Sequence, residues 1–419
     1  MVTVERMAYG PHGVAHLDGR TIFVRGAAPG DVVRVAIDEE HGSYAYAHVE
    51  EVLEPSPHRR IPPCPYLPRC GGCPWQHLQY DVQLAAKQAN VRDHLQRLGK
   101  IAAPPLSAPI PSPAEFSYRN RLSLRVEQGQ IGFYAGGSHE LVPIERCLLG
   151  NEAVNSLLPE VASLVGRLHS RVRRVEVIAD AFEPSGALAL AVEGHWRAAD
   201  DRQLLEWFGR TSSVRGVALR GKRWQRTHGN PRVTIVPAPG VSLEVTAGAF
   251  SQVNAMANQI LVEMVSRLLA PDHRGVTVDA YAGAGNFSFP LAQQSGTVVA
   301  IEADPRAVRD FRANAERLHA ENVELVHDTA ERALKSIAER GILVARVVLD
   351  PPRSGARAVL PYLLHLRPER IVYVSCNSAT LARDLAVLSG TYRLEQVQIV
   401  DLFPQTYHTE TVALLVLTC

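Results

Sequence analysis

The sequence predicts an α/β protein, with a doubly wound C-terminal domain, a small N-terminal β-barrel and a central α+β domain between them. Three observations carry this prediction. From about residue 246 the chain repeats strand, glycine loop and helix, which is typical of a parallel sheet covered by helices. Residues 1–55 instead contain short strands separated by glycine turns, and residues 114–245 mix strand-like runs with one helical stretch.

The composition is that of a soluble globular protein with several domains. The 419 residues are 46% hydrophobic and 21% charged, which allows sizeable cores. The N-terminus has no apolar core of signal-peptide length, and no run approaches the roughly 20 apolar residues of a membrane span. We therefore expect a cytoplasmic protein with no membrane partner. The net charge of +1 gives no support for a nucleic-acid partner, which must be argued locally.

One local charge pattern stands out in the central part of the chain. Seven basic residues and no acidic one lie between Trp207 and Arg232, interleaved with Trp224 and His228. The basic residues are Arg210, Arg215, Arg220, Lys222, Arg223, Arg226 and Arg232. A run of this kind is more often a solvated face than a binding surface, and both interpretations stay open.

The predicted domain limits lie where the composition and the pattern of predicted strands and helices change along the chain. Residues 1–55 alternate as a small antiparallel barrel does, and barrels of this size often bind oligonucleotides. The central domain, residues 56–245, begins with a segment rich in proline and cysteine. It continues with a helix over Asp81–Leu98 and a proline-rich linker over 102–113. Residues 246–419 form the C-terminal domain.

A glycine loop after the first strand of the C-terminal domain indicates a cofactor site. Gly283 and Gly285 follow that strand, and Glu302 ends the next strand, where an acid can bind ribose hydroxyls. A dinucleotide is the first candidate, but the third glycine of its phosphate fingerprint is missing. S-adenosylmethionine has no phosphates, so the loop favours it, with Asp328 near the adenine amine. A plain strand-to-helix turn is the alternative.

The segment LDPPRSG places a carboxylate at the same edge of the predicted sheet. Asp350 closes a buried strand, and Pro351-Pro352 keeps the following chain extended and rigid. Many methyltransferases that act on bases carry such a segment, with a substrate amine as the nucleophile. That reaction alone would leave no task for a cysteine one strand later.

Cys376 is that cysteine, at the end of a strand and the start of a helix whose positive end favours a thiolate. A buried cysteine of the core is the alternative. Addition of a thiolate to C6 of uracil makes C5 nucleophilic toward a sulfonium methyl group, and a base must then remove the C5 proton. Glu410, in the terminal hairpin, is the predicted base, and His408 is the alternative.

Five segments, in order, resemble the RNA uracil-C5 methyltransferases, the bacterial 5-methyluridine family: AGAFSQVN, DAYAGAGNFSFPLA, LDPPRSG, YVSCNSATLARDL and DLFPQTYHTETVALL. Residues 1–55 are also similar to the family's RNA-binding TRAM barrel. The resemblance implies a class I, Rossmann-like methyltransferase domain with Cys376 as nucleophile and Glu410 as base. It implies that Phe250 packs near the flipped target base. The S-adenosylmethionine contacts that it implies are Gln252, Tyr281, Asn286, Glu302, Asp328 and Asp350.

Four cysteines, Cys64, Cys70, Cys73 and Cys147, have the spacing of metal ligands. In a reducing compartment they are expected to be ligands rather than disulfides. On chemistry alone, zinc and a [4Fe-4S] cluster both suit four thiolates. The resemblance favours the iron-sulfur cluster, since the ribosomal RNA branch of the family carries one on this pattern. We expect it to have a structural role.

The resemblance also implies 23S ribosomal RNA as substrate, because the bacterial transfer RNA branch lacks both barrel and cluster. Some archaeal-type relatives with the cluster act on transfer RNA, so that substrate stays open. An RNA cytosine-C5 methyltransferase would place a cysteine where this chain has Arg353. A nonenzymatic RNA-binding or chaperone module with an idle domain is disfavoured by the presence of both Cys376 and Glu410. No obligate protein partner is implied.

Overall fold

The computed structural model describes residues 1–273 and 275–418, so that Cys419 lies outside the described residues. The chain forms a closed five-stranded barrel, two seven-stranded sheets and a two-stranded hairpin within that part. None of the helices described is both long enough and apolar enough to cross a membrane.

The N-terminal barrel has the strand order β1-β2-β3-β5-β4. Its strands are β1 (Val2–Met7), β2 (His12–Leu17), β3 (Arg20–Arg25), β4 (Val32–Glu40) and β5 (Tyr44–Glu54). Alternate side chains, such as Val24 and Ala45, point into a small apolar core. The prediction of an antiparallel barrel is wrong at one pair, because β3 and β5 run parallel. Five strands in a closed ring cannot all alternate in direction, so one parallel pair is unavoidable.

The chain between the barrel and the central sheet contacts the C-terminal domain. Helix α1 (Tyr80–Arg97) confirms the helix predicted there. The proline-rich linker lies along the edge strand of the C-terminal sheet, where the N–H groups of Ser107 and Ile110 donate to the carbonyls of Val397 and Ile399. The linker therefore covers backbone groups that an edge strand would otherwise leave unpaired.

The central sheet has the order β12-β11-β10-β9-β6-β7-β8. Its strands are β6 (Arg121–Glu127), β7 (Gln130–Tyr134), β8 (Leu141–Pro143), β9 (Arg171–Ala179), β10 (Gly186–Glu193), β11 (Val214–Arg220) and β12 (Gln225–Gly229). Helices α2 (Glu152–Val165) and α3 (Ala198–Phe208) pack on it around a core that includes Leu157, Val175 and Leu204. The alternation of apolar residues in β9 and β10 buries one face of each strand against these helices.

A hairpin of β13 (Arg232–Ala238) and β14 (Val241–Thr246) follows the central sheet. Val241 and Leu243 of this hairpin pack against Phe289 and Phe311 of the C-terminal domain. The predicted domain limits after residues 55 and 245 stay predictions.

The C-terminal sheet has the order β17-β16-β15-β18-β19-β21-β20. Its strands are β15 (Val276–Ala280), β16 (Thr297–Glu302), β17 (Val323–His327), β18 (Val344–Leu349), β19 (Arg370–Ser375), β20 (Tyr392–Val400) and β21 (Glu410–Leu417). The helices are α4 (Ala255–Leu269), α5 (Ser288–Ala292), α6 (Pro305–Arg317), α7 (Ala330–Glu339), α8 (Leu360–Leu366) and α9 (Ser378–Leu388). β15 to β19 run parallel, and the strand order reverses between β15 and β18, where doubly wound sheets bind ligands.

Candidate active site

A narrow cavity lies at the carboxyl ends of β15 and β18, at the point where the strand order reverses. Phe250, Gln252, Tyr281, Asn286 and Asp350 are among the residues that line it. Four of the six residues predicted to contact S-adenosylmethionine therefore surround one cavity. The predicted base-stacking residue, Phe250, lies at the same cavity with 69% of its surface exposed, so its ring is accessible to a substrate.

The glycine loop after β15 shapes one wall of this cavity. A Cβ atom on Gly285, whose φ is 102°, would lie 2.1 Å from the Phe289 ring, so no larger residue fits there. Tyr281 has a φ of 70°, a conformation that bulky residues rarely adopt. The fold thus holds Tyr281 in a strained backbone at the cavity wall. Glu302 borders the loop, because its carboxylate accepts a 2.8 Å hydrogen bond from the N–H of Gly283.

Two of the predicted cofactor contacts, Asn286 and Asp328, differ in their position relative to the cavity. The side chain of Asn286 is held by two hydrogen bonds with Asn258, of 2.8 and 3.1 Å, and so is fixed in orientation. Asp328 is not among the residues lining the cavity. It follows β17, one strand beyond Glu302, and its carboxylate accepts from the N–H of Thr329 at 2.7 Å. A ligand in the cavity would have to extend toward Asp328 to reach it.

Cys376 lies half-buried between β19 and α9, next to both predicted acids. The expectation that the helix end favours its thiolate stays a prediction. Burial, with the Glu410 and Asp350 carboxylates, raises the pKa of the Cys376 thiol to about 11. The first free N–H groups of α9 are engaged by Asn377, whose side chain accepts hydrogen bonds from them. These N–H groups therefore already have a hydrogen-bond acceptor in the helix cap.

Arg353 is a neighbour of the thiol that the sequence analysis did not assign to the site. Its guanidinium lies within hydrogen-bonding reach of the Cys376 sulfur and lowers the pKa of that thiol. Its carbonyl accepts a 3.1 Å hydrogen bond from the Asn377 side chain. The turn that carries Arg353 is fixed by Asp384, which accepts from the Tyr373 hydroxyl and the Ala356 N–H, both at 2.8 Å.

Glu410, the predicted base, is the first residue of β21 and is only 3% exposed. Its Oε1 atom is buried and has no hydrogen-bond partner in the described residues. Burial, with Asp350 nearby, raises the pKa of Glu410 well above its usual value. The alternative base, His408, has its pKa lowered to about 4 by burial and by nearby cations. An imidazole with such a low pKa is a weak base.

Asp279 is a second residue that the sequence analysis missed. It is fully buried in β15, where the Ser288 hydroxyl donates to one carboxyl oxygen, and no partner for the other occurs among the described residues. Burial raises the pKa of Asp279 to about 7. Burial and the nearby Asp279 likewise raise the pKa of Asp350 to about 7. Asp279, Asp350 and Glu410 thus form a series of carboxyl groups in which each disfavours ionisation of the next.

The segment 401–409, here called the catalytic loop, leads into Glu410 and is held by parts of the chain outside the C-terminal sheet. Lys87 of α1 forms a fully buried 2.7 Å ion pair with Asp401. The backbone N–H of Trp75 donates to the carbonyl of Gln405 at 3.1 Å. The N-terminal segment also contacts the predicted nucleophile, because the Tyr9 hydroxyl donates to the carbonyl of Cys376 at 3.4 Å.

The four cysteines predicted as ligands line one cavity of about 80 Å³. In the part of the chain that the structure describes, no three His, Cys, Asp or Glu side chains lie close enough to hold a single metal ion. A tetrahedral zinc site with Zn–S bonds near 2.3 Å needs sulfur atoms about 3.8 Å apart. A [4Fe-4S] cluster binds each thiolate to a different iron and so holds the thiolates farther apart. Four thiols at one cavity are a donor set that suits either a zinc ion or a [4Fe-4S] cluster.

Arg119 also lines the cysteine cavity, where it supplies positive charge. Its Nε atom is buried and forms no hydrogen bond within residues 1–273 and 275–418. A buried cation needs a nearby anion to offset its desolvation. Four thiolates around a cluster would provide negative charge at this position, so the donor set and its surroundings both fit an anionic metal group.

Comparisons with known proteins agree with this architecture. A TRAM domain model matches residues 1–49, and a tRNA (Uracil-5-)-methyltransferase model matches residues 236–417. An uncharacterized RNA methyltransferase of Aquifex aeolicus is 34% identical, over 99% of this chain and 97% of its own length. The 23S rRNA (uracil(1939)-C(5))-methyltransferase RlmD of Pseudomonas putida is 33% identical, over 98% of this chain and 92% of its own length.

The fold has a full-length counterpart among solved structures. The crystal structure of Pyrococcus abyssi tRNA (uracil-54, C5)-methyltransferase in complex with S-adenosyl-L-homocysteine gives a TM-score of 0.76 at 23% identity. The match covers 99% of this chain and 100% of that one. The predicted fold class, a Rossmann-like methyltransferase domain preceded by a TRAM barrel, is confirmed. The chain belongs to the TRAM-containing RNA uracil-C5 methyltransferase family, and it is an S-adenosylmethionine-dependent RNA methyltransferase.

Proposed function

We propose that this enzyme methylates C5 of a specific uridine in 23S rRNA, with Cys376 as nucleophile and Glu410 as base. The observation that carries the proposal is that the Cys376 thiol and the Glu410 carboxyl lie close together in one pocket. The Glu410 carboxyl is near enough to raise the pKa of the thiol. Asp350 connects them to the cofactor cavity, which it also lines. A nucleophile, a base and a place for the methyl donor are the three elements that the reaction needs.

The reaction can be written as the work of these side chains. Cys376 loses its proton and adds to C6 of uracil, which makes C5 nucleophilic. S-adenosylmethionine, when bound, supplies the methyl group that C5 takes. Glu410, in its ionised form, then removes the C5 proton, and the electrons of the C5–H bond restore the C5–C6 double bond and expel the Cys376 thiolate. The net products are 5-methyluridine, S-adenosylhomocysteine and a proton.

The pKa values of the pocket support this division of roles. A carboxylate whose pKa is raised, as that of Glu410 is, becomes a stronger base once it is ionised. The Cys376 thiol needs help to ionise, because its pKa is about 11 in the protein alone. Arg353 gives part of that help, and the positive sulfonium of the bound methyl donor gives more. We therefore expect thiolate formation to follow cofactor binding.

Two variants test the covalent mechanism. Cys376→Ala should abolish transfer of labelled methyl groups to RNA, and transfer that persists would contradict nucleophilic addition. Glu410→Gln should still form the methylated adduct but release it slowly, so a protein–RNA band should persist on denaturing gels. No retained adduct in Glu410→Gln would count against Glu410 as the base. Binding of S-adenosylmethionine, measured by calorimetry, checks that both variants are folded.

The choice of 23S rRNA is supported by similar proteins that are named as 23S rRNA (uracil(1939)-C(5))-methyltransferases. Transfer RNA is the alternative, since the solved structure of similar fold is described as a tRNA (uracil-54, C5)-methyltransferase. Unmodified transcripts of 23S rRNA and of transfer RNA, incubated separately with labelled S-adenosylmethionine, distinguish the two. Incorporation into transfer RNA alone would refute the ribosomal assignment, and mapping of the product would identify the uridine.

We also propose that Cys64, Cys70, Cys73 and Cys147 hold a [4Fe-4S] cluster with a structural role. Support comes from the shared cavity of the four thiols and from the buried charge of Arg119. Protein purified without oxygen should contain about four iron and four sulfide per chain by elemental and sulfide analysis. One zinc per chain and no sulfide would refute the cluster in favour of the zinc alternative.

A further inference from the structure

A groove between the central sheet and helix α6 is lined by five arginines that the proposed chemistry does not use. These are Arg174, Arg220, Arg226, Arg306 and Arg309. The groove, here called the arginine groove, comprises adjoining cavities of about 360 and 620 Å³ that share Arg220, Arg306 and Arg309. Arg220 and Arg226 belong to the basic stretch that stands out in the sequence.

The carboxylates along the arginine groove are already engaged. Glu176 is ion-paired with Arg121, which lies outside the groove, and accepts from the N–H of Gly248 at 2.8 Å. Asp304 is ion-paired with Arg306 at 2.6 Å. The negative charges of these two carboxylates are therefore largely neutralised by arginines of the protein itself.

Three of the five arginines form no ion pair of their own within the described residues. Arg174, Arg220 and Arg309 are exposed, and no carboxylate lies within ion-pair distance of them in the portion of the chain described, whereas Arg226 pairs with Asp201 at 3.3 Å. Asp304 and Asp310 lie near Arg220 and Arg309 without forming such a pair. The three come from separate elements, namely β9, β11 and α6. Their charges are thus spread along the groove rather than directed at one point, which fits a chain of phosphates better than a single small anion.

The arginine groove leads toward the active site. Gly248 lines the groove, and Arg306 donates to its carbonyl at 2.8 Å. Phe250, two residues further along the chain, lines the cofactor cavity. Two extended residues span at most about 7 Å, so a polymer in the groove would pass close to the position where a base meets Phe250.

We propose that the arginine groove binds the sugar-phosphate backbone of the RNA substrate beside the target uridine. This inference rests on the proposed function, because that function is the reason to expect the RNA strand to run from the groove toward Phe250. The tip of the β11–β12 hairpin extends the positive surface, because Lys222 and Arg223 are both exposed there. Backbone contacts of this kind position a nucleic acid and carry no sequence information of their own.

The test compares the full-length protein with a triple variant, Arg174→Gln, Arg220→Gln and Arg309→Gln. The probe is a fluorescent oligouridylate of about 20 nucleotides, and its affinity is measured by anisotropy over a range of salt concentrations. Each phosphate contact on a single strand contributes about 0.7 to the slope of log affinity against log salt. Loss of three contacts should therefore reduce the slope by about 2.

A matched control replaces three exposed arginines outside the arginine groove, Arg167→Gln, Arg202→Gln and Arg340→Gln, which removes the same net charge. The control should keep a slope closer to that of the wild type. An unchanged slope in the groove variant, or an equal loss in the control, would overturn the proposal. Pyrophosphate serves as a second probe, for a small anion. If the groove variant lost only pyrophosphate binding and kept a wild-type slope for the oligouridylate, the proposal would be overturned in favour of a small-anion site.

This experiment is independent of methyl transfer. Oligouridylate binding needs neither Cys376 nor a methyl donor, so the slope reports on the groove even if the covalent mechanism fails. Failure of the Cys376→Ala test would refute the proposed chemistry and leave the groove result standing. Calorimetric binding of S-adenosylmethionine to the groove variant shows whether the C-terminal domain is intact.

Discussion

Replacement of Asp279 by asparagine should make the protein more stable at high pH. Burial raises the pKa of this carboxyl group from 3.8 to about 7. Between these two pH values the unfolded chain releases a proton that the folded chain retains, so the folded state loses stability as pH rises. Asparagine keeps an acceptor for the Ser288 hydroxyl but has no proton to lose, and its contribution does not change with pH.

The size of the effect follows from the same pKa values. A pKa difference of about 3 corresponds to about 4 kcal/mol over the full range, at about 1.4 kcal/mol per pH unit. Part of this is already lost at pH 5, so the stability advantage of Asp279→Asn over the wild type should grow by between about 2 and 3 kcal/mol from pH 5 to pH 8. Above pH 8 the advantage should stay constant, because both states of the wild type are then ionised.

Urea unfolding followed by far-UV circular dichroism measures this difference at each pH. The matched control is Asp18→Asn, which removes a carboxylate from an exposed turn of the barrel and should show no comparable growth. An advantage for Asp279→Asn that stays flat between pH 5 and pH 8 would refute the raised pKa. An advantage that shrinks as pH rises would mean that the carboxylate is stabilised in the folded protein.

Three further predictions concern the surroundings of the site. Lys87→Met leaves the buried Asp401 carboxylate without its cation and should cost about 3–5 kcal/mol in urea unfolding; adding Asp401→Asn should recover much of the loss, and no recovery would contradict the charge argument. Cys376 should react with iodoacetamide at pH 7.5 more slowly than free cysteine, because a thiol with a pKa of about 11 is mostly protonated, and Arg353→Gln should slow it further. Peptide mass spectrometry follows that reaction, and an unchanged rate in Arg353→Gln would exclude a role for its guanidinium. Cys73→Ser should increase amide hydrogen exchange in the catalytic loop relative to the wild type. Equal exchange in the two proteins would mean that the cysteine cavity does not stabilise the loop.

The sequence predicted the parts of the site that follow from the order of the strands and from the groups that the reaction requires. Cys376 and Asp350 both follow predicted parallel strands, and the carboxyl ends of such strands meet at one edge of the sheet. Glu410 was predicted as the base because the reaction requires one and the terminal hairpin returns to that edge. These inferences need only the periodicity of the chain and the sequence of chemical steps.

The missed features depend on contacts that no local pattern encodes. Asp279 looks like an ordinary acid near a glycine loop, and only the packed sheet shows that it is fully buried. The contact of Tyr9 with Cys376 joins residues 367 positions apart. The raised pKa of the Cys376 thiol was not expected, because its burial and the closeness of two carboxyl groups were not apparent from the strand-to-helix pattern.

The catalytic loop connects these observations and leads to a last prediction. Its stabilising contacts include Trp75 of the cysteine-rich segment and Lys87 of α1, both outside the methyltransferase sheet. The cofactor cavity, in contrast, is lined by residues between Ile235 and Asp350. A fragment of residues 230–419 should therefore bind S-adenosylmethionine in calorimetry while failing to methylate RNA, because Glu410 follows a loop that has lost these anchors. Methyl transfer by the fragment at the rate of the full chain would show that the anchors are dispensable for placing the base.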